Sequence, residues 1–147
     1  IVGQCAGGKR YDRAKDYIKL SLAYGIVVLF VLSGFVVLFA RPLSHLFVDS
    51  SAAADIVVVY FKIVGIGYVL NTVTNCFLGS MNGMGRPAKS MLCMVLYYII
   101  IRMLFAWLLS HSELGINGIW TAVLISHLIA AAAAAAAAVH ELLKRDL

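Results

Sequence analysis

Acidic residues are missing where they would matter most. Across four long apolar stretches, residues 17–40, 52–80, 90–109 and 116–139, no Asp or Glu lies near the middle of any. That excludes, from this stretch of sequence, the embedded carboxylate through which ion-coupled carriers usually hold their cation. Charged residues of either sign make up 13% of the chain against 63% hydrophobic, so burial in lipid replaces burial in a water-excluding core. The only three cysteines, Cys5, Cys76 and Cys93, are scattered. Their spacing fits neither a disulfide framework nor a zinc site, and they read as small packing residues. No metal-ligand cluster, nucleophile with a base, or phosphate cradle is visible; Gly83-Met84-Gly85 lacks the strand, spacing and third glycine of a dinucleotide fingerprint. No enzymatic activity and no cofactor are expected. The chain opens at Ile1 with no initiating Met or signal peptide ahead of it, so a fragment of a larger protein is expected.

What is present is length. Each stretch can cross a bilayer, which takes about 20 helical residues, and each is apolar around most of its circumference rather than along one stripe. The expected fold is an all-α integral membrane bundle of four full transmembrane helices. Residues 1–16 read as the end of a preceding helix, a basic turn at Gly7-Gly8 and a lead-in, and residues 17–147 as the bundle with a short charged tail. The net charge of +5 is topological information rather than a nucleic-acid signal. Lys9, Arg10, Arg13, Lys15 and Lys19 precede the first span, Arg86 and Lys89 lie between the second and third, and Lys144 and Arg145 follow the fourth. The loop after the first span has only Arg41, and the loop 110–115 has no Lys or Arg. The positive-inside rule therefore places both termini and the loop 83–89 in the cytoplasm, in a multi-pass protein of the plasma or inner membrane.

Polar residues inside the spans are the functional candidates. In the first span Gly25, Ser33 and Gly34 are small residues that let membrane helices approach closely, and Arg41-Pro42 marks its outer end. In the second, Gly67, Asn71, Thr74, Asn75 and Leu78 share one helical face. An unpaired amide in hydrocarbon costs several kcal/mol, so this face points at other helices, as hydrogen-bonding glue, or at a water-filled cavity. Tyr68 and Tyr98 are aromatic candidates for the same cavity. Lys62 lies two turns beyond Asp55 and can snorkel to the interface, with or without that partner. An isolated charge at membrane depth costs at least about 2.5 kcal/mol, which singles out Arg102, roughly 22 Å past Pro87 and one turn after Tyr98. Packing, snorkelling and lining a substrate path are its alternative roles. His127, close to mid-depth beside Ser126, is either a neutral hydrogen-bonded interior residue or a proton carrier. The run 130–138 is all alanine. Alanine alone anchors weakly and has no packing shape, so no residue within it is singled out.

Three local patterns carry a family resemblance. Val2-Gly3-Gln4, followed by Gly7-Gly8 and the basic stretch through Ala14, resembles the V-G-Q…G-A-G…A signature of multidrug and toxic compound extrusion (MATE) transporters. Asn82-Gly83-Met84-Gly85-Arg86-Pro87 resembles that family's R-G-x-G loop, with Asn82 in place of the Arg. Leu114-Gly115-Ile116-Asn117-Gly118-Ile119-Trp120 resembles the L-G-x-x-G-I-W start of its last core helix. Met103-Leu104 follows Arg102 where many relatives have a Pro close behind the Arg, so the helix bend of the family has no proline here. The resemblance implies helices nine to twelve of a twelve-helix, two-lobed exporter, with the N-terminal lobe as the missing partner. It implies alternating access in which inward Na⁺ or H⁺ flow drives export of organic, cationic or lipophilic compounds. Competing readings are a lipid-linked oligosaccharide or lipid flippase of the same superfamily, a non-transporting membrane assembly protein, and a small homodimeric channel. Repeat-built transporters bind substrate near the midplane between repeats, so this chain would supply one wall.

Overall fold

The computed structural model of the protein describes residues 1–146, and every regular element among them is helical. Leu147 and the side chains of Arg145 and Asp146, all in the charged tail expected from sequence, lie outside what is described. Four helical segments are long and apolar enough to cross a membrane: Tyr11–Leu38 (α2), Ser51–Gly83 (α4), Pro87–Ser110 and Ile116–Lys144. The third is built of α5 (Pro87–Val95), a π-helical turn (Leu96–Ile101) and α6 (Arg102–Ser110), and the fourth belongs to α7 (Ile116–Asp146). Two short helices, α1 (Val2–Gly7) and α3 (Ala40–His45), complete the chain. The first span stops at Leu38 rather than at Arg41-Pro42. Proline both lacks an N–H and collides with the carbonyl four residues before it, so Pro42 ends the helix at position 38, and the chain restarts as α3.

α4 is the central helix, with α2 on one side and α7 on the other. Small residues set these approaches. A side chain at Gly25 would meet Thr72 Cγ2 at 2.8 Å, and one at Gly65 would meet Ser33 Oγ and Val37 Cγ2 at 3.0 Å. Ser33 Oγ donates to the Gly65 carbonyl at 2.5 Å, which satisfies a hydroxyl that lipid would leave unpaired. Gly34 faces open space instead. The core sits at the end of the bundle that carries both termini, where Ile18, Leu78, Met81, Met84, Ala134, Ala138 and Leu142 pack together. The alanine run thus has a packing role: Ala130, Ala134 and Ala138, one helical turn apart, let α7 lie close against its neighbours. α2 buries only Ala14 and Ile18, leaving large apolar side chains such as Phe30 and Leu38 exposed for lipid or another part of a larger assembly.

The two turns at the basic end have the same construction. After α4, the Gly85 N–H donates to Asn82 O at 3.0 Å and the Arg86 N–H to Met81 O at 3.0 Å, with Gly85 at φ +76°. That double bond is a Schellman cap. After α1, the Lys9 N–H donates to Ala6 O at 3.2 Å and the Arg10 N–H to Cys5 O at 2.8 Å. Here the left-handed position is filled by Lys9, φ +54°, one residue beyond the expected Gly7-Gly8 turn. Left-handed backbone costs an L-residue about 1 kcal/mol or more relative to glycine. Lys9→Gly is therefore expected to raise stability by about 1 kcal/mol and Gly85→Ala to lower it by about as much, measured by reversible unfolding in mixed micelles; shifts of the same sign at both positions would contradict the capping account.

Ion pairs close both ends. Arg41 pairs with Asp55 at 3.4 Å with both side chains exposed, so Asp55 is held by α3 while Lys62 lies exposed further along α4. At the basic end the Glu141 carboxylate, only 4% exposed, takes Arg86 Nε at 3.3 Å and Lys89 Nζ. This one carboxylate ties the α4–α5 turn to α7.

Candidate functional site

Two ionisable groups of the spans, Arg102 and His127, meet where α7 packs on the π-helical turn. In an α-helix, residues five apart lie roughly 140° apart around the axis; a π-helical turn closes over five residues and stacks them. Leu96–Ile101 is such a turn, and Arg102 Nη2 accordingly donates to the hydroxyl of Tyr97 at 2.7 Å. Three consecutive isoleucines after two tyrosines, all residues that lose χ1 freedom against the preceding α-helical turn, mark where the α-helical ladder slips. No proline is involved.

Tyr97, buried to 3% exposure, is thus the aromatic partner of Arg102 within the bundle. Tyr98, the one expected by α-helical spacing, lies exposed on the surface. The guanidinium carbon is 5.0 Å from the centroid of the Tyr97 ring and 4.7 Å from that of Tyr98, so both rings face the cation. From α7, Ser126 Oγ accepts from Arg102 Nε at 3.2 Å and donates to the Val123 carbonyl at 2.7 Å. His127, 5% exposed, shares a hydrogen bond between Nδ1 and the Tyr97 hydroxyl at 2.5 Å. Its Nε2 lies 3.4 Å from Arg102 Nη2. α4 contributes Gly67, where a side chain would meet His127 Cδ2 at 2.9 Å. Along their helices Gly67, Tyr97 and His127 lie roughly 24, 15 and 16 Å from Ser51, Pro87 and Ile116, so the cluster is near mid-depth.

Among the described residues, the other candidates make no hydrogen bond to this cluster. Thr74 is buried, and its hydroxyl donates back to Leu70 O at 3.2 Å. Asn75 is exposed in a groove of about 400 Å³ shared with Tyr17 and Ser21. Tyr68 lines an apolar groove of about 280 Å³ between α2 and α4, its hydroxyl 3.3 Å from that of Tyr60. The Tyr60 ring packs edge-on against Trp120, centroids 5.0 Å apart. Asn71 Oδ1 and Trp120 Nε1 are buried atoms with no hydrogen-bond partner, and such groups call for water or a ligand. The polar face of α4 read from sequence therefore divides among three environments. Sequence reasoning missed Tyr97, whose signal was the β-branched run behind it, and Glu141, which lies past the apolar stretch.

The model of the MatE family matches residues 1–108. No curated protein matches the chain. Among solved structures, the chain is similar to an inward-facing multidrug resistance MATE family transporter of the MOP superfamily (17% identity, TM-score 0.95, 99% of this chain and 34% of that one). It is also similar to an outward-facing form of such a transporter (16%, 0.93, 99% and 33%) and to a MOP superfamily transporter from Pyrococcus furiosus (16%, 0.95, 100% and 33%). The chain spans about a third of the length of the solved structures it matches.

Proposed function

The chain belongs to the MatE family of transporters, and from that premise we propose that it forms one wall of a secondary active exporter, the C-terminal lobe portion. Small lipophilic organic compounds would leave by alternating access against an inward flow of Na⁺ or H⁺. The observation that carries this reading is the Arg102–Tyr97–Ser126–His127 cluster at mid-depth of a multi-pass membrane bundle. An anchor or a passive spacer has no use for a cation and an imidazole there, since each is costly in hydrocarbon. The likeness to inward-facing and outward-facing relatives with nearly equal TM-scores supports a bundle that moves as one body between two states, which is what alternating access needs.

Within the cluster Arg102, Tyr97 and Tyr98 would hold substrate. His127 would be the group that passes the proton. Asn71, Tyr68, Asn75 and Thr74 would extend the wall along α4, with the N-terminal lobe facing it. Both termini are placed in the cytoplasm of a cell's plasma or inner membrane on the strength of the basic loops.

The test is transport by the full reading frame in proteoliposomes, with ethidium and 2-naphthoate as substrates and an imposed Na⁺ or H⁺ gradient. At least one compound is expected to move against its own gradient. His127→Gln is expected to lower H⁺-driven export at least about tenfold. If neither compound moves under either gradient, the exporter reading is wrong; if His127→Gln leaves H⁺-driven export intact, the proton travels elsewhere.

A further inference from the structure

Arg102 presents five N–H donors and can accept nothing. Nε is taken by Ser126 Oγ, and an Nη2 proton by the Tyr97 hydroxyl. Ser126 spends its own proton on the Val123 carbonyl and serves the cluster as an acceptor. The rest depends on the imidazole. If Tyr97 donates to His127 Nδ1, the neutral ring carries its proton on Nε2, which faces Arg102 Nη2 at 3.4 Å, donor against donor. If the ring proton sits on Nδ1 instead, the Tyr97 oxygen accepts from both neighbours and Nε2 is free to accept from Arg102 Nη2. In either tautomer the five guanidinium N–H groups outnumber the acceptors that face them.

It also holds more positive charge than negative. Among the described residues no carboxylate pairs with Arg102, and the sequence has no Asp or Glu from Ile56 to Ser112 or from Leu114 to His140. The guanidinium is oriented in advance by two aromatic rings, and the remaining N–H groups suit a planar carboxylate. A single Arg with one imidazole beside it balances one negative charge, which favours a carboxylate over a doubly charged phosphate.

We propose that the Arg102–His127 pair is a binding site for the carboxylate of a small aromatic or lipophilic organic acid. This rests on the reading of the cluster as a substrate wall, and it reverses at this wall the cationic preference that the family resemblance implies. An oxygen of the anion accepts from both Arg102 Nη2 and His127 Nε2, bridging them from one side, and relieves the donor–donor approach. Its apolar body lies against the Tyr98 ring.

Equilibrium dialysis of radiolabelled 2-naphthoate and 2-naphthylmethylammonium, which share one ring system and differ in charge, against the full-reading-frame protein in lipid nanodiscs tests it. The naphthoate is expected to bind at least about tenfold more tightly than the ammonium. Arg102→Gln should weaken naphthoate at least about tenfold, and Arg102→Lys should restore part of the loss, with circular dichroism confirming unchanged helix content in both. Preference for the ammonium with binding still weakened by Arg102→Gln would overturn the charge assignment alone. Binding of both ligands that ignores Arg102→Gln would overturn the substrate-wall reading as well.

Discussion

Gly118→Ala is expected to lower the unfolding free energy by about 3 kcal/mol, the upper part of the usual range for overpacking. Gly118 lies in the first turn of α7, where the hairpin from α6 brings the Leu109 carbonyl so close that a Cβ would collide with backbone rather than with a side chain. No rotamer change relieves such a contact; the two helix ends must separate. Two effects compete, because alanine gains about 1 kcal/mol over glycine in a helix interior. At Gly79 and Gly34 a Cβ would meet nothing within 4 Å, so alanine there should be neutral or mildly stabilising. SDS-titration unfolding of the three variants separates the terms. Should Gly118→Ala behave like Gly79→Ala, the tight α6–α7 hairpin is wrong. The family resemblance marked Gly118 only as part of a motif; the geometry supplies the reason a glycine stands there.

The four spans were legible in sequence because lipid asks one simple thing of a segment, about 20 apolar residues, and the chain states it four times. Interruptions were legible where they had a covalent cause. Pro42 announces a break, although its clash acts on residue 38, so the helix ends earlier than the proline. Departures without such a marker were not readable. Helical-wheel spacing does place Tyr98 beside Arg102, but the π-helical turn brings in Tyr97 as a second, buried partner that the wheel does not show. Lys9 occupies a left-handed position that two adjacent glycines seemed to claim, because the cap is located by where α1 ends. On α4 a shared face predicted a shared environment for Asn71, Thr74 and Asn75. A face runs the length of the helix, however, and successive turns meet different neighbours. Arg102 and His127 were both visible as costly residues, while their meeting across two helices was not.

That meeting depends on a missing side chain, and Gly67→Val is expected to lower both 2-naphthoate binding and gradient-driven transport roughly a hundredfold, as a displacement near 1 Å does to other positioned sites. His127 is seated against Gly67, with Cδ2 2.9 Å from where a Cβ would stand. Its Nδ1 is fixed by Tyr97, and the ring cannot swing away without breaking that bond. Valine adds two further methyl groups in the same space, so the ring is displaced and Nε2 no longer faces Arg102. Gly67→Ala presents a single methyl group to the end of a side chain and should have a smaller effect, giving the order Gly, Ala, Val. The discriminating experiment is the double variant Gly67→Val with His127→Ala. Removing the ring frees the space, so stability should recover relative to Gly67→Val alone, while binding and transport stay low because the imidazole is gone. Recovery of transport in the double variant would make His127 a packing residue. Failure of stability to recover would place the clash somewhere other than the α4–α7 contact. The expected combination, stability restored and transport still lost, separates the seat of the ring from the use of the ring.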